Sequence, residues 1–216
     1  MERMEDPIRG VKRITLHCAY CDAETFIQKY RDVETFEGYC KVCPRYGASW
    51  ACPPFNRLSQ IDFSPFRKVA FIGIQTFITY DYQQPTHSPT ALQERSEGVM
   101  TDVRRLADPI LFSTERDLAP ARLFLPGSCH LCDDSGCTRT AQLPCRHPDL
   151  MRPSLEAVGF NIALAAEELL HIHLHWPSDL RMPPFLTLLA AFFLTDANQR
   201  VDLNHINKVL EGRTSK

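Results

Sequence analysis

The nine cysteines are the feature that most constrains this chain of 216 residues, because they fall into two groups separated by a long stretch without cysteine. The first group comprises Cys18, Cys21, Cys40, Cys43 and Cys52, and the second comprises Cys129, Cys132, Cys137 and Cys145. An odd number of cysteines does not suit a fully paired disulfide scaffold. A reducing compartment would keep these cysteines as thiols that are available to metals. The pattern therefore predicts a fold that presents clustered thiols to a metal centre.

The second group contains enough ligands for one complete site with four thiolates, since its cysteines lie within 17 residues. Cys129 and Cys132 form a Cys-x-x-Cys pair, a spacing that lets one tight turn present two sulfurs to the same metal. Zinc ribbons typically use two such pairs, whereas here single cysteines follow at uneven intervals, as in ferredoxin-like ligation. The spacing favours an iron–sulfur cluster of the [4Fe-4S] type, and zinc is the alternative.

The first group supplies three ligands for a possible second centre, because Cys40 and Cys43 form a Cys-x-x-Cys pair that Cys52 follows. The fourth ligand is open at this stage. Cys18 and Cys21 are two candidates, so this half could hold a four-thiolate cluster with one thiol to spare, or Cys18 and Cys21 could serve another purpose. The sequence thus predicts one or two clusters, with these five cysteines as candidate metal ligands of the N-terminal half.

Apolar patterns between and beyond the cysteine groups predict a mixed α/β fold. The run from Lys68 to Tyr80 and the run from Phe185 to Leu194 are typical of buried strands, and a short strand is predicted from Ala121. An amphipathic helix is predicted from the apolar positions that recur at helical spacing, namely Leu92, Val99, Val103, Leu106 and Ile110. We expect a small central sheet with packed helices and with cysteine-bearing metal-binding loops at one edge.

The late part of the chain gives four further predictions. A short helical turn is predicted at 154–158, a helix capped by Asn161 at 163–170, and a final helix at 203–210. The strict alternation over 170–176 predicts a strand in which His171, His173 and His175 share one face. These histidines are candidate zinc ligands, although a solvated strand face also explains them.

Length and composition predict one domain over residues 1–216, with a cysteine-rich lobe at about 15–60 and an α/β body at about 61–216. The formal net charge of -2 gives no reason to expect nucleic-acid binding, and no apolar run is long enough to cross a membrane. The charged N-terminal stretch does not resemble a signal peptide, so a cytoplasmic location is expected.

Two blocks of the sequence resemble a known family. They are 39–55, which reads YCKVCPRYGASWACPPF, and 127–132, which reads GSCHLC and is followed by PCRHPDLMRPSLEAVGFNI at 144–162. On these blocks the chain resembles the prokaryotic predicted metal-binding proteins grouped as domain of unknown function 2284. The four later cysteines match the family's cysteine positions, as does the trailing signature of Arg146, Pro148, Arg152, Pro153, Ser154, Glu156, Ala157 and Gly159. The resemblance implies metal binding, with iron–sulfur chemistry suspected and no established reaction.

No motif for a phosphate-binding loop, a catalytic triad or a pair of catalytic carboxylates is evident. The sequence therefore favours a protein that is not itself an enzyme, and an enzyme of this kind would perform iron–sulfur-dependent redox chemistry. The leading hypothesis is electron transfer or redox support of an unidentified partner protein. The alternatives are a zinc-stabilised interaction module and a metal-delivery protein.

Overall fold

A four-stranded antiparallel sheet forms the centre of the protein, in a computed structural model that describes residues 7–55, 61–132 and 135–211. The strands are β1 (Val11–Asp22), β2 (Lys68–Ile78), β3 (Ala121–Phe124) and β4 (Phe185–Leu194), in the order β1-β2-β4-β3. β2 and β4 are central, and nearly all of their side chains are buried. Burial on both faces explains why β2 and β4 are continuous apolar runs. The strands predicted from Lys68, from Ala121 and from Phe185 are confirmed as β2, β3 and β4.

Five α-helices surround the sheet, which confirms the mixed α/β class. They are α1 (Ala23–Tyr30), α2 (Val33–Lys41), α3 (Pro89–Asp117), α4 (Ile162–Ala165) and α5 (Leu203–Glu211). Side-chain caps start four of them: Asp22, Asp32, Ser88 and Asn161 each accept a hydrogen bond from a first-turn N–H. The predicted Asn161 cap is thus confirmed, with 3.0 Å between Leu164 N and Asn161 Oδ1. None of the helices in the described ranges is both long and apolar enough to cross a bilayer.

Each face of the sheet carries its own hydrophobic core. On one face α3 and α5 pack against β1, β3 and β4, and the predicted stripe of α3 is buried at Leu92, Val99, Val103 and Ile110. On the other face α1 and the segment 155–172 enclose a cluster of aromatic rings around Phe26 and Phe193. The two cores hold both faces of the central strands away from water, so the sheet is a rigid base for the loops at its ends.

The prediction of a strand over 170–176 is wrong, although exposed and more buried side chains do alternate along this segment. Residues 166–170 form a π-helical turn that ends at His171, whose φ of 56° is left-handed, and the chain then continues without strand pairing. Ile172 and Leu174 pack against the aromatic core, whereas His171, His173 and His175 are exposed. The segment is therefore extended chain that lies over the face of the sheet. Alternation reports one buried side, and it does not specify whether hydrogen bonding to a neighbouring strand accompanies that burial.

The sequence interpretation missed β1, α1 and α2, which together form the N-terminal part of the fold. β1 is an edge strand, and its side chains are mostly only partly buried, so its apolar pattern is weak. α2 ends at Lys41 and thereby carries the chain directly into the first Cys-x-x-Cys pair. β3 is the opposite edge strand and leads into the second cysteine group, as predicted.

Candidate metal centre

The four cysteines of the second group line one cavity of about 180 Å³. The chain enters it from β3 through Gly127, which has a left-handed φ of 62°, and it turns again at Gly136, with a φ of 68°. Glycine adopts this backbone region without strain, so these turns can be tight enough to bring the cysteines to the same cavity. The thiols that line this cavity are those of Cys129, Cys132, Cys137 and Cys145.

The Cys129 thiol is close enough to the other three to be affected by their charges. Burial raises the pKa of the Cys129 thiol, the backbone N–H of Leu131 opposes this rise, and the charges of Cys132, Cys145 and Cys137 add to it. Further along, the backbone N–H of His147 donates to Cys145 Sγ at 3.4 Å. A group of buried, mutually repelling thiols favours its neutral form unless a cation compensates for the negative charge. Metal ions supply that compensation, and N–H groups directed at sulfur are typical of thiolate-ligated centres.

The thiols of Cys40, Cys43 and Cys52 form a second neighbourhood at the end of α2. The N–H of Cys43 donates to the carbonyl of Cys40 at 3.0 Å, which closes the turn of the Cys-x-x-Cys pair. The pKa of Cys40 is raised by burial first, then by Cys52 and Cys43 and more weakly by Glu156 and Glu37. The structure thus places these three thiols within electrostatic reach of one another, and it adds a carboxyl group that the spacing of the cysteines did not indicate.

Arg139 fastens the two cysteine loops to each other. Its guanidinium donates to the carbonyl oxygens of Ser49 at 2.6 Å, of Pro54 at 2.6 Å and of Cys52. The same guanidinium lies over the ring of Trp50, 5.3 Å from its centroid. Residues more than eighty positions apart are joined in this way. The two cysteine groups therefore belong to one contiguous region of the protein.

Two further contacts complete this junction. The indole N–H of Trp50 donates to the carbonyl of Leu143, which lies two residues before Cys145, at 3.2 Å. Arg45 and Trp50 of the first loop also line the cavity of the second cysteine group. Sequence reasoning did not find the tethering role of Arg139, because its partners are backbone carbonyls and leave no signature in the sequence.

An ion-pair network on α3 holds the start of the second loop. Arg104 and Asp108 are buried on the core side of α3 and bind each other at 2.8 Å. His130 Nε2 lies 3.3 Å from the same carboxylate, and Arg104 also donates to the carbonyl of Ser128. Because Cys129 lies between the two loop residues that this network holds, α3 fixes its position. The signal in the sequence was that Arg104 and Asp108 are oppositely charged, lie four residues apart and fall beside the apolar stripe of α3.

The arginines of the trailing signature are engaged in structural contacts. Arg152 forms an ion pair with Glu115 of α3 at 2.8 Å, and Glu115 also accepts a hydrogen bond from the backbone N–H of Leu123. Arg146 donates to Ser135 Oγ and to the carbonyl of Gly136, within the second loop. Both arginines therefore stabilise the chain that surrounds the second cysteine group.

The structure does not bring Cys18 and Cys21 together. Both lie on β1, where residues three apart have side chains on opposite faces of the sheet. Cys18 packs against the core beneath α3 and α5, and Cys21 packs against the aromatic core. Burial raises the pKa of Cys18 to about 11, against a smaller lowering by a hydrogen bond with Tyr20. The two sulfurs cannot bind the same ion in this fold.

Cys40, Cys43 and Cys52 are neighbours, and so are the four thiols of the second group, but neither set is gathered at coordination distance. Within the described ranges, no three His, Cys, Asp or Glu side chains are arranged to hold a metal ion as they stand. All nine cysteines are free thiols. A thiolate shell requires metal–sulfur distances of about 2.3 Å, so the cysteine side chains would have to move inward when metal binds. Cys40 lies in the last turn of α2, and Cys43, Cys52 and the cysteines of the second group lie outside the helices and strands named above, which permits this movement.

A larger cavity of about 310 Å³ adjoins the second cysteine group and shares Arg45, Cys129 and His130 with it. It lies beside residues 185–190 of β4, which extend beyond the end of the short strand β3. Glu156 and Thr187 line this cavity, and in each of them a buried oxygen has no hydrogen-bond partner among the described residues. Burial raises the pKa of the Glu156 carboxyl, against smaller opposing effects of its own backbone N–H and of Ser154.

Comparison with known families gives one clear result. The family model described as predicted metal-binding protein (DUF2284) matches residues 27–189, about three quarters of the chain, and the protein belongs to this family. The matched region begins within α1 and includes α2, the Cys-x-x-Cys pairs at Cys40 and at Cys129, and the first half of β4. Cys18 and Cys21 lie outside it. No match was found among curated proteins or among solved structures.

Proposed function

Because the chain belongs to a family of predicted metal-binding proteins, we propose that it is a cytoplasmic iron–sulfur protein that transfers electrons to or from a partner protein. The cluster, of the [4Fe-4S] type, binds to Cys129, Cys132, Cys137 and Cys145. The observation that carries this proposal is that these four thiols line a single cavity. A second centre binds to the thiols of Cys40, Cys43 and Cys52.

The donor set fits such a cluster. Thiolates are soft ligands that select iron–sulfur clusters or zinc, and the uneven spacing after the first pair favours the cluster. When bound, the cluster supplies one-electron redox chemistry. The protein's own groups prepare the site for a negatively charged centre: backbone N–H groups point at Cys129 and Cys145, and the Arg45 cation lies in the cavity wall. Hydrogen bonds to cluster sulfurs and nearby positive charge raise the reduction potential.

Exposed apolar side chains beside both cysteine groups support a protein partner. Tyr39, which precedes Cys40, and Val42, which lies between Cys40 and Cys43, have 64% and 86% of their surface exposed. Leu143 and Leu150 lie on either side of Cys145 and are 56% and 41% exposed. Exposed apolar groups that cluster around a redox centre are typical of a docking surface, where a small interface suffices for transient electron exchange.

Purification under strict anoxia tests the proposal. We expect a brown protein that contains iron and acid-labile sulfide, whose colour dithionite bleaches as an electron paramagnetic resonance signal develops. Cys132→Ser should lose the metal of the second cysteine group and lower the melting temperature, because structural metal binding adds to folding free energy. Cys21→Ser is the matched control and should retain full metal content, because Cys21 packs against the aromatic core.

Three results would contradict the proposal. A colourless protein with stoichiometric zinc would establish the zinc-stabilised interaction module instead. Metal that leaves the protein readily and appears on an acceptor protein would establish metal delivery. Unchanged metal content in Cys132→Ser would refute the ligand assignment itself.

A further inference from the structure

The cavity of about 310 Å³ beside the second cysteine group has no role in electron transfer as proposed above. It shares Arg45, Cys129 and His130 with the cavity of the cysteines, so a molecule bound in it would lie next to the metal centre. Its volume corresponds to about ten water molecules of about 30 Å³ each. Pockets of this size that hold small molecules combine mainly apolar walls with a few polar groups.

Apolar side chains from three parts of the fold line this cavity. Met100 belongs to α3, Leu174 and Trp176 belong to the segment that lies over the sheet, and Leu188 belongs to β4. A neighbouring cavity of about 260 Å³ shares Met100, Leu174 and Trp176 with it. A ligand of this site therefore needs an apolar part, which can extend from one cavity towards the other.

The edge of β4 adds polar backbone groups. β3 pairs only with Ala191–Leu194, so the cavity lies beside a part of β4 that β3 does not cover. The carbonyl of Pro184 accepts a hydrogen bond from Ile78 of β2 at 2.9 Å. Because the direction of the backbone groups alternates along a strand, the N–H and C=O of Thr187 and Leu189 face away from β2, towards the uncovered edge. A polar ligand can bond to these groups.

Two side-chain oxygens in the cavity walls lack the partners that burial normally requires. Within the part of the chain that the structure describes, Glu156 Oε2 and Thr187 Oγ1 are buried and have no hydrogen-bond partner. The Glu156 carboxyl is otherwise bonded to its own backbone N–H and to Ser154. Native proteins rarely leave buried polar atoms unpaired, and a ligand with several N–H donors would pair both oxygens.

A cation lines the same space. Among the described residues Arg45 forms no ion pair and no hydrogen bond through its guanidinium, whereas Arg104 in the same wall is bound to Asp108 at 2.8 Å. Arg45 and Glu156 therefore lie too far apart to pair with each other, and a ligand can fit between them. The guanidinium of Arg45 suits an anionic group, above all a carboxylate.

We propose that this cavity binds a free α-amino acid with an apolar side chain. The ammonium group of the ligand donates to Glu156 and Thr187, its carboxylate accepts from Arg45, and its side chain packs against the apolar walls. With one hydrogen bond at each end, the charged groups of an amino acid span about 8 Å, which is about the width of a cavity of this volume. The inference goes beyond electron transfer, and it holds whichever metal the cysteines bind.

Calorimetric titration of the full chain, purified under anoxia, tests the proposal with three probes. L-phenylalanine carries both charged groups, phenethylamine lacks the carboxylate, and hydrocinnamate lacks the ammonium group. We expect L-phenylalanine to bind about tenfold or more tighter than hydrocinnamate, because a buried charged hydrogen bond is lost without the ammonium group. It should bind about fivefold tighter than phenethylamine, since the exposed Arg45 contributes less.

Two substitutions remove the charges of the site separately. Glu156→Gln should weaken the binding of L-phenylalanine and of phenethylamine about tenfold or more and leave that of hydrocinnamate unchanged. Arg45→Met should weaken the binding of L-phenylalanine and of hydrocinnamate about fivefold and leave that of phenethylamine unchanged. The matched control is Glu97→Gln, because Glu97 lines the same cavity but is exposed and bonded to Gln93. It should change the binding of each probe less than about threefold.

A third substitution separates ligand binding from folding. Thr187→Val keeps the shape of the side chain and removes the unpaired hydroxyl. Without ligand its melting temperature should equal or exceed that of the wild type, because a buried polar atom without a partner is removed. Its affinity for L-phenylalanine should nevertheless fall about threefold or more, because the ammonium group loses an acceptor.

Four outcomes would overturn the proposal. They are equal binding of the three probes, equal binding of L-phenylalanine by Glu156→Gln and Glu97→Gln, an unchanged affinity of Thr187→Val, and no probe with a dissociation constant of about 1 mM or below. Iron and sulfide analysis of the same samples reads the proposed function separately. A zinc protein that binds L-phenylalanine as expected would refute the cluster and leave this site standing, whereas an iron–sulfur protein that binds no probe would refute this site alone.

Discussion

Replacing Arg139 with methionine should release the loop that carries Cys52 from the second cysteine group. Methionine keeps an unbranched side chain of similar length but removes the guanidinium and its hydrogen bonds to the carbonyls of Ser49, Cys52 and Pro54. The contact between the guanidinium and the ring of Trp50 is lost as well. What remains of the junction is mainly the hydrogen bond from Trp50 to Leu143.

The size of the effect follows from these contacts. A hydrogen bond that involves a charged group contributes about 1.5 to 3 kcal/mol when well shielded from water. Arg139 is only half-buried, so values at or below the lower end apply to each of its three bonds. We expect the free energy of opening of the loop to fall by about 2 to 4 kcal/mol. Since 1.4 kcal/mol corresponds to a factor of ten, amide exchange in the loop should accelerate about 30-fold to 1000-fold.

Hydrogen–deuterium exchange of peptides that contain Ala51 and Cys52 measures this change. Both amides are bonded locally to Ser49, at 3.3 Å and 3.1 Å, so their protection reports whether the loop is closed. Arg146→Met is the control, because Arg146 binds only Ser135 and Gly136 within the second group. The control should leave the exchange rates of Ala51 and Cys52 unchanged. If Arg139→Met also changes these rates by less than about threefold, Arg139 does not fasten the two loops and the reasoning is refuted.

Two further predictions concern Cys18 and Gly159. Burial raises the pKa of Cys18 to about 11, whereas Cys43 is exposed. Iodoacetamide at pH 8 should therefore label Cys43 while Cys18 stays protected. Equal labelling rates of the two cysteines would contradict the burial of Cys18. The folded state holds the thiol proton of Cys18 more tightly than the unfolded state does. The contribution of this proton to the free energy of unfolding is therefore fully present below the ordinary thiol pKa of about 8.5 and is lost as the pH rises towards 11. Urea unfolding of Cys18→Ala should therefore show a smaller loss of stability between pH 8 and 10.5 than the wild type. Gly159→Ala should destabilise the protein by more than about 1 kcal/mol, since its φ is 96° and a Cβ there would lie 2.8 Å from Val33 Cα at the start of α2. A melting temperature equal to that of the wild type would show that α2 shifts without cost.

The sequence was most informative where a single local rule decides the outcome. β2 and β4 are central strands buried on both faces, so their continuous apolar runs identify them without any tertiary information. The stripe of α3 and the Asn161 cap follow in the same way from helical periodicity and from local hydrogen bonding. β1 escaped detection because an edge strand with partly buried side chains has no strong period. The segment after His171 alternates like a strand but packs over the sheet, since alternation encodes burial and not pairing.

The sequence by itself determined that two sets of cysteines lie close together along the chain. Covalent geometry alone keeps the thiols within one loop near each other. Only the tertiary structure decided that these two sets are neighbours and that Arg139 joins them. It also decided that Cys18 and Cys21 are separated by the sheet. The physical reason is that such contacts depend on backbone carbonyls, strand faces and helix packing, which bring distant residues together without marking any of them in the sequence.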